Sequence, residues 1–133
     1  SLNLLGRNIL QFCAQYLGSA VAAIYVREDH GGLKRIASYG FSREQEERDQ
    51  QIYSDEGIVG QVANQARLIR LDDVPCDYFK VSSGLGEGLP HSVLVVPTSD
   101  DERVNGVIEL GFLRPLNDRD IELLEMIAGN IGT

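Results

Sequence analysis

Two pairs of strand-like segments, each joined by a short polar turn, constrain the fold of this chain more than any other feature. In the first pair, an apolar run at residues 21–26 is followed by a Gly-containing turn and an alternating segment at residues 33–39. The second pair, residues 92–98 and 104–113, is joined by an acidic link at residues 99–102. β-Branched and aromatic residues favour strands, and short turns between strands favour hairpins. The pattern therefore predicts an antiparallel sheet built from hairpins.

The second pair also contains a competing turn signal. Asn105-Gly106 is a stronger isolated hairpin signal than the acidic link. A turn at that point would cut the second strand short, so we place the turn in the acidic link. Gly106 and Gly111 then lie inside a strand, where a missing side chain indicates a bulge or close packing.

A helical stripe precedes the strands. Apolar residues recur there every three or four positions, which predicts one apolar helix face that ends at Gly18. Its members are Leu2, Leu5, Ile9, Phe12 and Tyr16, widened by Cys13 and Leu17. Because the stripe is already present at Leu2 with no capping signal before it, we expect this helix to begin upstream of residue 1.

A second helical stripe follows the strands. Asn117 is a fitting N-cap with Asp120 three residues later, and Leu116 and Ile121 form a hydrophobic staple around it. The stripe runs through Ile121, Leu124, Ala128 and Ile131. We expect this helix to continue past residue 133, so that the domain lies within a longer helical rod. Helices at both ends of hairpin-connected strands indicate an α+β domain.

The middle of the chain is mixed. We predict a helix at residues 42–49, a brief strand at 52–53, a helix at 57–66 and a strand at 68–71. Residues 72–90 are then a long irregular segment with one helical turn around residues 78–81. Such a segment inside a compact domain is usually functional or disordered. Since this one keeps aromatic and aliphatic residues, we interpret it as the wall of a pocket.

Charge and composition exclude several functions. The chain has 12 basic and 20 acidic residues and a net charge of −8, whereas a nucleic-acid surface needs clustered Lys and Arg. No apolar run approaches the ~20 residues of a membrane-spanning helix, and the N-terminus lacks a signal-peptide pattern. We therefore expect no nucleic-acid partner, no direct membrane contact and a cytoplasmic location. A small anionic ligand is not excluded, because N–H groups at a helix N-terminus can bind one.

Motifs for catalysis or cofactor binding are not evident in the sequence. Cys13 and Cys76 show neither metal-ligand spacing nor a CxxC motif, which favours two free thiols in a reducing compartment. Gly57-Ile58-Val59-Gly60 lacks the Lys and Ser/Thr of a P-loop, so its glycines are interpreted as a turn into a helix. We expect no catalytic residues, no metal and no cofactor in this domain.

Six short motifs, spread over nearly the whole sequence, resemble those of GAF domains, the small-molecule-sensing modules of signalling proteins. They are Tyr39-Gly40-Phe41, residues 56–63 (EGIVGQVA), residues 71–75 (LDDVP), residues 95–97 (VVP), residues 106–110 (GVIEL) and residues 116–124 (LNDRDIELL). Each motif is weak alone, but their order and spacing together are specific. Residues 78–87 (YFKVSSGLGE) are similar to the GAF domains of bacterial sensor histidine kinases, especially hybrid kinases with a response-regulator domain.

The resemblance implies a central antiparallel sheet with the N- and C-terminal helices on one face and pocket-forming loops on the other. It implies that residues 1–133 are a single GAF domain, which forms a homodimer through the terminal helices. It also implies an adjacent kinase or other output domain in a parent protein that can be membrane-anchored. The expected function is a non-enzymatic sensory module that binds a small molecule and relays the signal through those helices. The alternative is a ligand-free dimerisation and relay domain.

On this architecture, residues 72–90 fold over the sheet and supply the candidate ligand-binding residues. They are Tyr78, Phe79, Ser82, Ser83 and Leu85, with His91 at the mouth of the pocket. The alternative is that the aromatic and leucine side chains are core beneath a long loop, that the serines cap turns, and that His91 is a hydrogen-bonded structural residue.

Glu109 is a further candidate, because it lies inside an apolar strand. It is either solvent-facing or a pocket acid, and the alternation of the strand does not decide between the two. A buried carboxylate would need a partner, which Arg35 or Arg70 on other strands could supply.

Specialised kinds of GAF domain can be compared by motif. A covalent bilin site has a Cys followed by His, whereas here Cys76 is followed by Asp77. The Asn-Lys-Phe-Asp-Glu signature of phosphodiesterase cyclic-nucleotide GAF domains is absent from the sequence. Free methionine sulfoxide reductases carry clustered cysteines, whereas Cys13 is expected on a terminal helix and Cys76 on a loop. Because this separation disfavours resolution by a neighbouring thiol, a thiol-dependent reductase ranks third among the hypotheses.

Overall fold

A computed structural model describes residues 1–53, 57–76, 78, 81–83, 86–101 and 103–132. The helices are α1 (Leu2–Leu17), α2 (Arg43–Glu47), α3 (Gly57–Gln65) and α4 (Asp118–Gly132). The strands are β1 (Val21–Arg27), β2 (Leu33–Tyr39), β3 (Gln51–Ile52), β4 (Ile69–Leu71), β5 (Val81–Ser83), β6 (Gly86–Gly88), β7 (Ser92–Asp100) and β8 (Arg103–Phe112).

A six-stranded antiparallel sheet forms the centre of the fold, in the order β3-β2-β1-β8-β7-β4. The two predicted hairpins, β1–β2 and β7–β8, are both present and lie side by side through the pairing of β1 with β8. The α+β class and the antiparallel sheet are confirmed.

Side chains alternate across this sheet and build two cores. On one face, residues such as Ile24, Ile108 and Leu110 pack with α1 and α4. On the other face, residues such as Tyr25 and Val107 pack with α3 and the segment after β4. The predicted division, with terminal helices on one face and loops on the other, follows from this alternation.

The turn between β7 and β8 is in the acidic link, as predicted. Asp100 pairs with Arg103, so the chain turns between these two residues and not at Asn105-Gly106. The register shifts after Thr98, which leaves Asn105 as the extra residue of a bulge. A Cβ at Gly106 would lie 2.7 Å from the carbonyl oxygen of Tyr25, so the close packing expected at this glycine is also present.

One local prediction for residues 72–90 is wrong. The helical turn expected around residues 78–81 is not formed at Val81, which begins β5 and pairs with Gly88 of β6. This small two-stranded ladder satisfies backbone groups that a single isolated helical turn would leave without partners. Residues 79 and 80 lie outside the described part of the chain.

Helix α1 divides its apolar residues between two faces. The face that packs on the sheet consists of Gly6, Leu10, Cys13 and Leu17. A Cβ at Gly6 would lie 3.0–3.2 Å from Ile36, Ile24 and Ala37, so the helix approaches the sheet closely there. The predicted stripe is thus divided: Cys13 and Leu17, which widened it, are buried against the sheet. Its members Leu2, Leu5, Phe12 and Tyr16 lie beside this face and keep 43–60% of their surface accessible.

The N-cap of α4 was predicted from the sequence, whereas the N-cap of α1 was not. For α4, Asn117 Oδ1 accepts from the Asp120 N–H (3.0 Å), and Asp120 Oδ2 accepts from the Asn117 N–H (2.9 Å), as predicted. For α1, Ser1 Oγ accepts from the Leu4 N–H (3.2 Å), although no capping signal was assigned to this residue.

Arg114 joins the two terminal helices. Its guanidinium donates to both carboxylate oxygens of Asp120 at 2.7 and 2.8 Å and to the carbonyl oxygen of Leu17 at 2.6 Å. The hydrogen bonds from Arg114 hold the pKa of Asp120 below its usual range. The last turn of α1 and the first turn of α4 are therefore tied to one side chain.

Candidate functional site

A cavity of about 890 Å³ lies on the sheet face opposite the terminal helices. Its floor comes from β1, β2 and β8, and its sides come from α2, the start of α3 and the segment after β4. The lining residues are Tyr25, Arg35, Phe41, Ser42, Glu44, Gln45, Arg48, Asp49, Ile52, Gly57, Ile58, Val59, Pro75, Cys76, Tyr78 and Glu109.

Glu109 is the buried acid of this cavity. Ala23 pairs with Glu109 and Tyr25 pairs with Val107, so Tyr25 and Glu109 are diagonal neighbours on the cavity face of the sheet. The Tyr25 hydroxyl donates to Oε1 of Glu109 at 3.4 Å. The Tyr78 hydroxyl, from the segment after β4, donates to Oε2. The carboxyl group thus joins the sheet to the segment that covers it.

Burial controls the ionisation of these three groups. It raises the pKa of Glu109 to about 7, against the opposing effect of the two tyrosine hydroxyls that donate to it. Burial, and then the nearby Glu109 carboxylate, raise the pKa of both tyrosines. The tyrosines therefore remain hydrogen-bond donors at neutral pH, and Glu109 is half-ionised near pH 7.

The arginines proposed as partners of Glu109 have other partners. Arg70 forms an ion pair with Asp72 at 3.0 Å. Arg35 donates to the carbonyl oxygens of Arg48 and Glu46, and its guanidinium lies 5.1 Å from the centre of the Phe41 ring. Arg35 favours the ionised form of Glu109 only through space. The expectation of an arginine partner is thus corrected: tyrosine hydroxyls fill that role.

The candidate residues from the sequence fall into four groups. Tyr78 and Glu109 meet in the cavity. His91 is exposed outside the cavity lining, and its backbone N–H donates to the carbonyl oxygen of Phe112 (2.7 Å). Ser82 and Ser83 lie in β5, where only their backbone is described. Phe79 and Leu85 lie outside the described residues.

Several lining residues were not singled out as candidates from the sequence. Tyr25 lies within an apolar run, so it does not differ locally from a structural residue. Phe41 had a signal, because it ends the Tyr39-Gly40-Phe41 motif. Arg48 and Asp49 reach the cavity only through the path of the chain after α2, which no local pattern encodes.

The two cysteines lie on opposite faces of the sheet. Cys13 is fully buried between α1 and the sheet, and burial raises its pKa to about 11. Cys76 is exposed and lines the cavity. A buried thiol on the other side of the sheet is poorly placed to resolve an intermediate formed at Cys76.

Two features are absent from the described residues. Within the ranges that the structure covers, no group of His, Cys, Asp and Glu side chains could hold a metal ion. No helix in the same ranges is both long enough and apolar enough to cross a membrane.

Comparison with known families decides the assignment. The family model described as "GAF domain" matches residues 1–133, the whole chain. The chain belongs to the GAF domain family. Membership of this family supports a regulatory, sensory role. A search of curated proteins finds no match to this GAF domain.

Solved structures share its fold at low sequence identity. The GAF domain from a phosphoenolpyruvate-protein phosphotransferase of Coxiella burnetii has a TM-score of 0.80 and 19% identity, over 99% of this chain and 80% of that chain. The second GAF domain of DevS from Mycobacterium smegmatis has a TM-score of 0.74 and 19% identity, over 97% and 88%.

A reductase is also among the similar structures. The type II free methionine-R-sulfoxide reductase from Thermoplasma acidophilum has a TM-score of 0.72 and 21% identity, over 99% of this chain and 93% of that chain. At these identities, each likeness concerns the fold alone.

Proposed function

We propose that this GAF domain is a cytoplasmic sensory module of a bacterial signal-transduction protein, such as a hybrid sensor histidine kinase, and that its cavity binds a small molecule. The observation that carries the proposal is a cavity of about 890 Å³ whose floor holds a buried carboxyl group between two tyrosine hydroxyls. Ligand sites have volumes of roughly 300–1,000 Å³ and are mostly apolar with a few convergent polar groups. The residue pattern at 78–87 supports the histidine kinase context.

The relay would pass from the cavity to the terminal helices. Tyr78 connects the segment after β4 to Glu109 on β8, and α4 follows β8 after a short connection. A ligand that alters the contact between Tyr78 and Glu109 would favour one arrangement of β8 and α4 over another. Such a ligand shifts the equilibrium only by its difference in affinity for the two arrangements.

Cys76 provides a test of ligand binding in the unmodified protein. Maleimide should label Cys76, which is exposed at the cavity, and spare Cys13, which is fully buried. A metabolite that raises the melting temperature by filling the cavity should slow this labelling in proportion to its occupancy. At a hundredfold excess over its dissociation constant it should add ~2.7 kcal/mol to the free energy of unfolding. Thermal-shift screening followed by timed labelling and mass spectrometry measures both effects.

The matched control for this experiment is Cys76→Ser, which should abolish labelling of the folded protein and keep the thermal shift. A metabolite that stabilises the domain but leaves the Cys76 labelling rate unchanged binds elsewhere. The failure of every metabolite to stabilise the domain would contradict the sensor proposal.

The exposed apolar stripe of α1 supports a second proposed property, which is homodimerisation through the terminal helices. Leu2, Leu5, Phe12 and Tyr16 form this stripe, and the rings of Phe12 and Tyr16 contact each other at a tilt of 37°, with their centres 4.4 Å apart. A contiguous apolar stripe of this kind marks an interaction surface. The same surface supports the alternative function, a ligand-free dimerisation and relay domain that passes signals to an adjacent output domain.

Phe12→Glu tests the dimer. A charge placed in the centre of the stripe should shift sedimentation at micromolar concentration from dimer to monomer, because a buried charge without a partner opposes association. Gln11→Glu introduces the same charge at the exposed neighbouring position and should leave the dimer intact. A monomeric wild-type domain, or equal effects of the two substitutions, would contradict pairing through this stripe.

A further inference from the structure

The charged groups that line the cavity differ in how well they are neutralised. Arg48 forms an ion pair with Glu44, and Arg35 donates to two backbone carbonyl oxygens beside the Phe41 ring. Glu109 is 6% exposed and receives only hydroxyl donors. Within the described part of the chain, Glu109 forms no ion pair. The floor of the cavity therefore holds a buried acid that these residues do not neutralise by a direct ion pair, since the Arg35 guanidinium acts on it only through space.

We propose that the ligand of this cavity carries a protonated amine, or a comparable cationic N–H donor, which binds the carboxylate of Glu109 between Tyr25 and Tyr78. This inference rests on the proposed function, because it names the class of molecule that the sensor would bind.

Hydrogen-bonding capacity supports a donor at this position. An ionised carboxylate has about four lone-pair sites, and the two tyrosine hydroxyls occupy two of them. An ammonium group would fill a further site and supply the opposite charge that a buried carboxylate needs. An anionic ligand group at Glu109 would gain none of these contacts.

The surroundings of Glu109 predict proton release on binding. It is faced by Tyr25 from β1, Tyr78 from the covering segment, Arg35 from β2 and Asp49 from the loop after α2. The tyrosines stay protonated near neutral pH because burial raises their pKa, and the guanidinium stays charged. Burial raises the pKa of Glu109 to about 7. An ammonium group favours the ionised form, so its affinity should fall by up to tenfold per pH unit below that value.

Matched fragments test the class of ligand. Each of three fragment sets is built on one apolar group: phenyl, cyclohexyl or butyl. Within each set, the three fragments end in an aminomethyl, a hydroxymethyl or a carboxylate group. Titrations followed by NMR chemical shifts on the whole domain should show the amines binding in the cavity more tightly than the alcohols or carboxylates. Loss of one charge-assisted hydrogen bond in Glu109→Gln should weaken the amines by about ten- to a hundredfold. Glu47→Gln changes an exposed acid of α2 outside the cavity lining and should leave their affinity unchanged.

Each outcome bears on the proposal. Preference for amines, with loss of affinity in Glu109→Gln and below pH 7, is the expected result. Equal or tighter binding of the alcohols or carboxylates in the cavity would overturn the amine assignment while leaving the sensory function in place. Amine binding that is unaffected by Glu109→Gln or by pH would also overturn it. If no fragment and no metabolite binds, the amine assignment and the sensory function both fail.

Discussion

The stability of the Glu109→Gln variant is expected to depend much less on pH between about 4.5 and 7 than that of the wild-type domain. In the folded state the pKa of Glu109 is raised to about 7, from an ordinary value of 4.5. The folded protein therefore retains a proton in this window that the unfolded chain releases. Folding stability must then fall as the pH rises through the window.

The size of this effect follows from the shift in pKa. A shift from 4.5 to about 7 corresponds to about 3 kcal/mol of stability, which is present at low pH and lost above pH 7. Glutamine has the shape of the protonated acid and cannot ionise. Glu109→Gln should therefore match the wild type near pH 4.5 and exceed it by up to about 3 kcal/mol at pH 8.

Urea unfolding at half-unit pH intervals measures this difference. Other titrating groups contribute equally to both proteins, so the difference between the two curves isolates Glu109. Glu47→Gln is the control, because Glu47 is exposed on α2 and its replacement should leave the pH profile unchanged. Parallel profiles for the wild type and Glu109→Gln would show that the carboxyl group is not buried as described.

Gly40→Ala is expected to destabilise the domain by about 3 kcal/mol or more. Gly40 has a φ of +73° and follows β2, immediately before Phe41 in the cavity wall. A Cβ at Gly40 would lie 2.3 Å from the carbonyl oxygen of Ala20, so the backbone would have to move. The left-handed conformation alone costs a non-glycine residue about 1–2 kcal/mol, and forced overpacking adds about 1–3 kcal/mol.

Gly18→Ala separates these two contributions. Gly18 caps α1 with a φ of +76°, and a Cβ there would have no neighbouring atom within 4 Å. It should cost only the conformational part, about 1–2 kcal/mol. Urea unfolding of both variants gives the comparison, and equal losses would contradict the clash at Gly40. Because Phe41 follows Gly40, Gly40→Ala should also disturb the cavity wall, whereas Gly18→Ala should not.

Local signals explain which parts of the fold were predictable from the sequence. The two hairpins and the cap of α4 were predicted correctly, because alternation, turn residues and the Asn117–Asp120 pair act over a few residues. The two-stranded ladder of β5 and β6 was missed, because both strands are short and lie among glycines and serines. Such a segment shows no clear alternation.

The orientation of α1 shows the limit of pattern analysis. Two neighbouring faces of this helix are apolar, and the one with larger residues gives the stronger stripe in the sequence. The sheet instead receives the face that contains Gly6 and Cys13, because small side chains allow the helix to approach closely. Only the shape of the facing sheet distinguishes the two faces.

The candidate site was predictable only in part for a related reason. Glu109 and Tyr78 were recognised as candidates, but their direct contact depends on how the segment after β4 lies over the sheet. Tyr25 joins them through the register of β1 against β8, which sequence alternation does not specify. The partners of a buried group are set by the tertiary fold, whereas its presence on a strand is a local property.

The position of Glu109 on a central strand connects the two faces of the sheet directly. Its neighbours Ile108 and Leu110 point to the opposite face, where they pack in the core shared with α1 and α4. Only the thickness of one backbone layer separates the cavity floor from that core. A displacement of β8 at Glu109 therefore moves Ile108 and Leu110 through the peptide bonds that join them, without a chain of intervening side-chain contacts.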